Sequence, residues 1–448
     1  MSYNRRMRIA VGLSGGVDSS VAAKLLVDAG HEVVGVHLVC WPPKSEVEKD
    51  GLTRTEWIKK NGCRADEDRA SALKSALEIG IPFKVLDFSE EYNLRVVDYF
   101  YKEYEMGRTP NPDILCNSEI KFGLFLDWAI ENNFDKIATG HYAKISVGST
   151  LLSKNGNVND SSESLRPATQ LADPYGDQAQ QASVNFSSEV FSLHDCSLDN
   201  PASENSKNIS SEVFSLHDCS LDNPASARIN NSLYVPKDTH KDQTYFLWKL
   251  SQEQLNKAVF PLGDYLKTEV REMATKWGLS VADKKDSQGI CFVGNVEARE
   301  FLSRRLVKKI GEVKNIAGEV LGKHDGVWFY TIGQRGGWEL SGKAQKKYAP
   351  SGETPAFYVI SKDATKNELV VGFGASTYSE EFSLSSENWF GDKPAGKIEV
   401  RIRHTGKLLE ANLEGNKVSL VEPQRGIAAG QSAVFYKEGR VCGGGVIE

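Results

Sequence analysis

The chain has 448 residues, 40% of them hydrophobic and 25% charged, the balance of a folded globular protein rather than a disordered or fibrous one. Two to three domains are expected, because a single core stops growing at roughly 250–300 residues. A formal net charge of −6 excludes a uniformly basic surface but allows local basic patches, so composition leaves nucleic acid open as a partner. No apolar run reaches membrane-spanning length. Residues 1–6 are basic without an apolar core, so neither a signal nor a transit peptide is expected and the cytoplasm is the predicted compartment. Seven cysteines, an odd number scattered along the chain, do not form a secreted disulfide framework, which leaves some for chemistry.

In chain order, the apolar run at residues 7–13 predicts a buried parallel strand. Val21, Ala22, Leu25, Leu26 and Ala29 then recur at helical spacing, closed by Gly30. Between strand and helix lies Ser14-Gly15-Gly16-Val17-Asp18-Ser19-Ser20. Such a corner binds anions: unpaired N–H groups and the positive end of the helix dipole face the ligand, and glycines admit its oxygens to the main chain. No lysine follows Gly15-Gly16, so it is not a Walker P-loop, and the glycine spacing does not fit a dinucleotide fingerprint. Residues 32–39 predict a second buried strand, and 41–63 a loop with a short helix. An amphipathic helix follows over 65–80 with Ala70, Leu73, Ala76 and Leu77 inward, then a third strand at 83–88. Helices over about 90–106 and 120–132 flank a loop at 108–117, and a fourth strand and its exit occupy 135–142. This alternation predicts an α/β doubly wound parallel sheet with ligands at the loops 14–20, 38–43, 88–90 and 139–142.

Two of these segments carry further chemistry. In the loop 108–117, two prolines stiffen the chain beside Cys116, with Asp113 three positions earlier and a helix beginning nearby, whose N-terminus favours thiolate. At the end of the fourth strand, Gly140 allows a nucleotide to approach and His141 stands at the sheet edge.

Residues 146–232 are rich in Ser, Asn and Asp and lack periodic apolar positions, which reads as an inserted loop or disorder. They hold a direct repeat, 187–203 and 210–226, whose His194, Cys196, His217 and Cys219 offer four zinc ligands, although the His-x-Cys spacing is tight for a structural site. A small helical section follows, its clearest helix over 265–277, with Cys291 after a glycine turn. From about 311 short strands at 327–332, 356–360, 369–373, 397–403, 408–413, 418–421 and 432–436 predict one or two small β-barrels. Arg401, Arg403, His404, Lys407, Lys343, Lys346 and Lys347 are candidates to face an RNA backbone. The expected domains are 1–145, 146–232, 233–305 and 306–448.

Five motifs in order carry a family resemblance: 14–20 (SGGVDSS), 109–117 (TPNPDILCN), 139–143 (TGHYA), 241–247 (KDQTYFL) and 286–292 (DSQGICF). With the C-terminal 423–436 and 443–447, they resemble the tRNA-specific 2-thiouridylases of the PP-loop ATPase superfamily, over everything except 146–232. The resemblance implies ATP and Mg2+ as cofactors, tRNA as substrate and a persulfide-donor protein as partner; a monomer is expected. It also implies 2-thiolation of the wobble uridine of tRNAs for Lys, Glu and Gln: adenylation makes the C2 oxygen a leaving group, and a cysteine persulfide then displaces AMP. On matching positions, Gly12, Leu13, Ser14, Gly15, Gly16, Val17, Asp18, Ser19, Leu38 and Gly140 would bind ATP, Asp18 helping to place magnesium and phosphates. The family commonly has Met where Leu38 stands, and an apolar contact survives that change. Cys291 would carry the persulfide, Cys116 would help release its sulfur or close a disulfide with it, and Asp113 is the acid/base candidate. Asn111, Pro112 and Asp113 would hold the extruded base. His141, Lys241, Asp242, Gln243, Arg401, Ile402 and Gln431 match tRNA-contacting positions. No protein metal site is expected, and a cluster-based sulfur transfer stays open beside the persulfide route. The rivals are an amidating or ligating PP-loop enzyme, which needs no cysteine pair, and a catalytically silent RNA-binding protein.

Overall fold

The computed structural model describes residues 6–61, 63–148, 230–285, 298–348 and 355–448. Strand β1 (Arg8–Gly12) lies at the centre of a parallel sheet, between β2 (Glu32–Val39) and β4 (Lys136–Ala138), with β3 (Phe83–Asp87) on the edge beyond β2. Past β4, a hairpin of β5 (Lys144–Gly148) and β6 (Asn230–Tyr234) leaves the sheet. The chain returns to pair β7 (Ala258–Val259) parallel to β4. The short β7, inside the stretch read as a small helical section, completes the order β3-β2-β1-β4-β7. That order reverses between β1 and β4, so the crevice opens between their carboxyl ends, where doubly wound sheets bind ligands.

Apolar periodicity located most helices but misjudged some faces. Helix Ala65–Ile79 buries Ala72, Ser75, Ala76 and Ile79. Ala70 is exposed, and the expected core residues Leu73 and Leu77 are 43% and 71% exposed. Small side chains face inward because this helix packs closely on the helix Val17–Asp28, where Ser20 Oγ meets Ser75 Oγ at 2.9 Å. The loop at 41–63 contains two helices, Lys44–Lys49 and Arg54–Lys60. A larger correction concerns 108–117. Helix begins at Pro112 and runs, through a π-helical stretch Cys116–Leu124, to Glu131, so Cys116 is helical and 0% exposed. The start signal was local: Asn111 Oδ1 accepts from Asp113 N at 3.1 Å, and proline occupies the first helical position, where its missing N–H costs nothing.

Two β units follow. The first sheet has the order β10-β9-β8-β12-β11, from β8 (Gly311–Lys314), β9 (Val320–His324), β10 (Glu339–Leu340), β11 (Tyr358–Asp363) and β12 (Glu368–Gly372). The stretch 327–332, expected as a strand, instead turns as a 3-10 helix at Val327–Phe329 after Gly326, whose φ of 138° ends extended pairing. The second unit comprises β13 (Tyr378–Trp389), β14 (Gly396–Arg401), β15 (Leu409–Glu414), β16 (Lys417–Arg425), β17 (Ser432–Lys437) and β18 (Arg440–Ile447). They pair antiparallel in the order β13-β16-β15-β14-β17-β18, and β18 pairs back to β13, closing a six-stranded barrel. The hairpin β5–β6 attaches to this barrel through β6 and β18, so the segment leaving the parallel sheet also anchors the C-terminal unit. The repeat with His194, Cys196, His217 and Cys219 lies outside the described residues.

Candidate nucleotide and sulfur-transfer site

The corner after β1 is built to leave main-chain donors facing the crevice. Gly16 caps helix Val17–Asp28 in an extended conformation and supplies no side-chain cap to its first N–H groups. Hydroxyls brace the loop from inside: Ser19 Oγ lies 3.1 Å from both Ser14 Oγ and Gly16 O, and Ser20 Oγ donates to Gly16 O at 3.0 Å. Ser19 and Ser20 are buried, whereas Ser14 is exposed at the mouth. Gly15 is doubly required. Its φ is +77°, and a Cβ there would stand 2.2 Å from Asp68 O.

The loop after β4 closes the other wall. A Cβ on Gly140 would lie 2.7 Å from Ser19 N and 2.8 Å from Asp18 C. The absence of a side chain at Gly140 thus lets the end of β4 lie directly against the backbone of the 14–20 loop. Tyr142 Oη donates to Asp18 Oδ1 at 2.9 Å. His141 Nδ1 is 2.7 Å from Thr139 Oγ1, and its ring lies between Phe122 and Phe260. Burial, with a smaller contribution from the Lys121 charge, holds its pKa well below the ordinary imidazole value, so it is neutral at pH 7. His37, on β2, sits 2.8 Å from Leu13 O through Nδ1, and burial lowers its pKa as well. Leu38 follows, buried near the end of β2.

Two lysines that sequence reasoning passed over converge on this corner. Lys267 Nζ donates to both carboxylate oxygens of Asp18 at 2.7 Å. Lys284 Nζ donates to Gly15 O and Asp68 Oδ1, each at 2.8 Å, and to Ser71 Oγ at 3.2 Å. Neither lysine is near the loop in sequence, so no motif spacing could have found them. Among the described residues no group of three or more His, Cys, Asp or Glu is placed to hold a metal. Asp18 is the carboxylate of this corner that could hold a Mg2+ ion alongside phosphate oxygens, and in this structure its oxygens are taken by Lys267 and Tyr142.

The cysteine helix is held from the C-terminal side. Gly430 N to Ile447 O (2.9 Å) shapes the loop 428–431, where Ala429 O accepts from Thr109 N at 2.8 Å and Gln431 Nε2 donates to Thr109 O at 2.9 Å. Asn117 Nδ2 donates to Phe246 O at 3.1 Å, and Lys121 Nζ to Asn117 Oδ1 at 3.0 Å. Asp113 stands one turn before Cys116, on the same helix face. Pro112 and Asn111 form the cap just described. Cys291 lies outside the described residues, so its expected approach to Cys116 does too.

Most polar residues matched to tRNA contacts have intramolecular partners at this junction. Asp242 Oδ2 accepts from Arg401 Nη1 at 2.7 Å, and its Oδ1 accepts from Thr244 N at 2.9 Å and Thr244 Oγ1 at 2.6 Å. Gln243 Oε1 accepts from Tyr142 N at 2.9 Å. Ile402 is buried. Lys241 is half-buried, its backbone N–H on Asp238. In the same seam the His404 ring packs against Phe246, tilted by 39° with centroids 4.2 Å apart, while Arg403 and Lys407 are exposed. Arg401 Nε, His404 Nδ1 and Ser118 Oγ are buried without hydrogen-bond partners among the described residues. Of the lysines at 343–347, Lys347 pairs with Glu319 at 2.5 Å.

Family profiles tile the chain: a tRNA methyl transferase HUP domain at 7–173 and 209–295, a tRNA methyl transferase PRC-barrel domain at 299–373, and an aminomethyltransferase beta-barrel domain at 379–447. The tRNA-specific 2-thiouridylase MnmA of Streptococcus thermophilus (strain ATCC BAA-491 / LMD-9) is 34% identical over 100% of this chain and 97% of its own length. That of Streptococcus pyogenes serotype M4 is 35% identical over the same shares. The chain belongs to the tRNA-specific 2-thiouridylase family. Its five sequence motifs sit on the elements just described, except 286–292, which is outside the described residues. Among solved structures, NMN synthetase from Francisella tularensis is 17% identical and covers 30% of this chain and 44% of that one, with a TM-score of 0.19, at which a shared fold does not follow. Among the described residues no helix is long and apolar enough to cross a membrane.

Proposed function

We propose that this protein 2-thiolates the wobble uridine of tRNA in an ATP-dependent reaction. The observation that carries the reading is the phosphate-binding corner at the β1–β4 switch point, in a chain matched end to end by thiouridylases. The N–H groups of the loop Ser14–Val17 would hold the phosphates. Asp18 would orient them together with Mg2+, which supplies charge neutralisation when bound. The uridine O2 attacks the α-phosphorus, the bond to the β-phosphate oxygen breaks, and pyrophosphate leaves. The terminal sulfur of a Cys291 persulfide then attacks C2, the C2–O bond breaks, and AMP departs. Cys116 attacks the inner sulfur, so the new thiocarbonyl keeps one sulfur and a Cys116–Cys291 disulfide remains for external reduction. Asp113 is the proton carrier for these steps, and the Asn111–Asp113 cap borders the base. A separate protein supplies the persulfide. The enzyme works as a cytoplasmic monomer.

The test incubates unmodified tRNA with ATP, a persulfide donor and the protein, followed by mass spectrometry of the wobble nucleoside. A gain of one sulfur for one oxygen is expected. Asp18→Asn should abolish AMP release while filter binding of tRNA persists, and Cys291→Ala should lower thiolation by about 10³-fold or more. Full turnover in both Cys116→Ala and Cys291→Ala would instead favour a ligating PP-loop enzyme.

A further inference from the structure

Lys267 belongs to none of the five motifs, yet among the described residues it makes the closest charged contact to the corner at 14–20. Its backbone is fixed at the first position of helix Lys267–Lys276: its own N–H donates to Asp238 Oδ2 at 2.9 Å, and the preceding Leu266 N–H donates to Glu269 Oε2 at 2.6 Å. From there the side chain, only 12% exposed, reaches both oxygens of Asp18 and passes 5.9 Å from the Tyr142 ring. Lys284 plays a different part, because its three partners include the carbonyl of Gly15, so it braces the loop from behind.

We propose that Lys267 is a pyrophosphate ligand of the nucleotide site, held in place by Asp18 until the β and γ phosphates arrive. The inference rests on reading this corner as the ATP site and adds a residue and a charge exchange to it. The electrostatics favour it. A carboxylate at the mouth of an anion site repels a polyphosphate unless a cation stands between them, and the ammonium beside Asp18 is already desolvated and oriented there. When phosphates enter, Lys267 can turn from carboxylate to phosphate oxygens without leaving the pocket, which releases Asp18 for Mg2+. AMP, which lacks the β and γ groups, would not draw on Lys267.

Equilibrium binding of two probes, AMP and α,β-methylene-ATP with Mg2+, separates this role from a purely structural one. In Lys267→Ala the analogue should bind about ten- to a hundredfold more weakly, the usual worth of a charge-assisted contact. AMP should bind within about twofold of the wild type, which also reports an intact fold. Lys267→Arg should recover part of the loss. Equal weakening of both probes, or no weakening of either, would overturn the proposal and leave Lys267 as a structural counter-ion. Should Lys267→Ala fail to fold, Lys267→Gln, which keeps a hydrogen bond to Asp18, carries the same comparison. If the wild type binds neither probe, the ATP reading itself falls and the proposal with it; if the wild type binds both and only the ratio stays unchanged, the proposal falls alone.

Discussion

Replacing Gly140 by alanine adds one methyl group where the structure has no room for it. The new Cβ would meet Ser19 N at 2.7 Å, Asp18 C at 2.8 Å and Ser19 Cα at 3.0 Å, against about 3.5–4.0 Å for a relaxed contact. All three atoms are backbone, so no rotamer change relieves the overlap. The first turn of helix Val17–Asp28 and the end of β4 must separate by about 0.5–1 Å, at a cost of about 1–3 kcal/mol. The same shift pulls Asp18 away from Tyr142 and Lys267, now 2.9 and 2.7 Å distant. Misplacement on this scale in a reacting site costs up to about a hundredfold in rate. Urea unfolding should show the lower midpoint, and AMP release against ATP concentration should show a raised KM. Gly12→Ala is the control for stability: its Cβ would meet nothing closer than 3.7 Å, so its unfolding free energy should change by less than about 0.5 kcal/mol. A Gly140→Ala protein with wild-type midpoint and KM would refute the packing argument. An unchanged midpoint with a raised KM would show instead that Gly140 makes room for the nucleotide.

Arg401→Ala strands the 4%-exposed Asp242 without its ion-pair partner, so stability should fall by about 3 kcal/mol and adding Asp242→Asn should restore part of it; denaturant curves that leave Arg401→Ala at wild-type stability would point to a role on tRNA alone. Burial lowers the folded-state pKa of His37, His141, His324 and His404. As pH falls through 6.5, the unfolded chain takes up protons that the native one refuses, so stability present at pH 7 should decline below that point, before most carboxylates titrate. Urea midpoints measured from pH 7.5 to 5 check this, and His141→Gln should flatten part of the slope. Gly148 and Asn230 are opposite one another at the end of the β5–β6 hairpin. Replacing 149–229 with Asn-Gly should close that hairpin and leave tRNA binding and thiolation intact, and loss of either in a folded variant would assign the excised stretch a role.

The element that the sequence determined by itself is the corner at residues 12–20, because everything it needs is local. An apolar strand, two glycines, an uncapped helix start and an acidic residue in its first turn lie within a dozen positions, and their physics does not depend on what surrounds them. The Asn111-Pro112-Asp113 helix start was equally local, but the sequence reading kept the following cysteine in the loop and began the helix only at about 120. Whether Cys116 faces solvent depends on Phe246 and the loop 428–431, which reach Asn117 and Thr109 on either side of it from far along the chain. The same limit explains the helix at 65–79. Periodicity gave its existence, whereas only the close approach of Ser20 to Ser75 selects the small face over the leucine face. Lys267, 249 positions from Asp18, and Arg401, 159 from Asp242, form ion pairs that no spacing rule encodes. A charge finds its partner only after the sheet order has set β7 beside β4 and the barrel has closed on β6. Local propensity and dipoles are written in neighbouring residues, while burial and pairing are properties of the assembled chain.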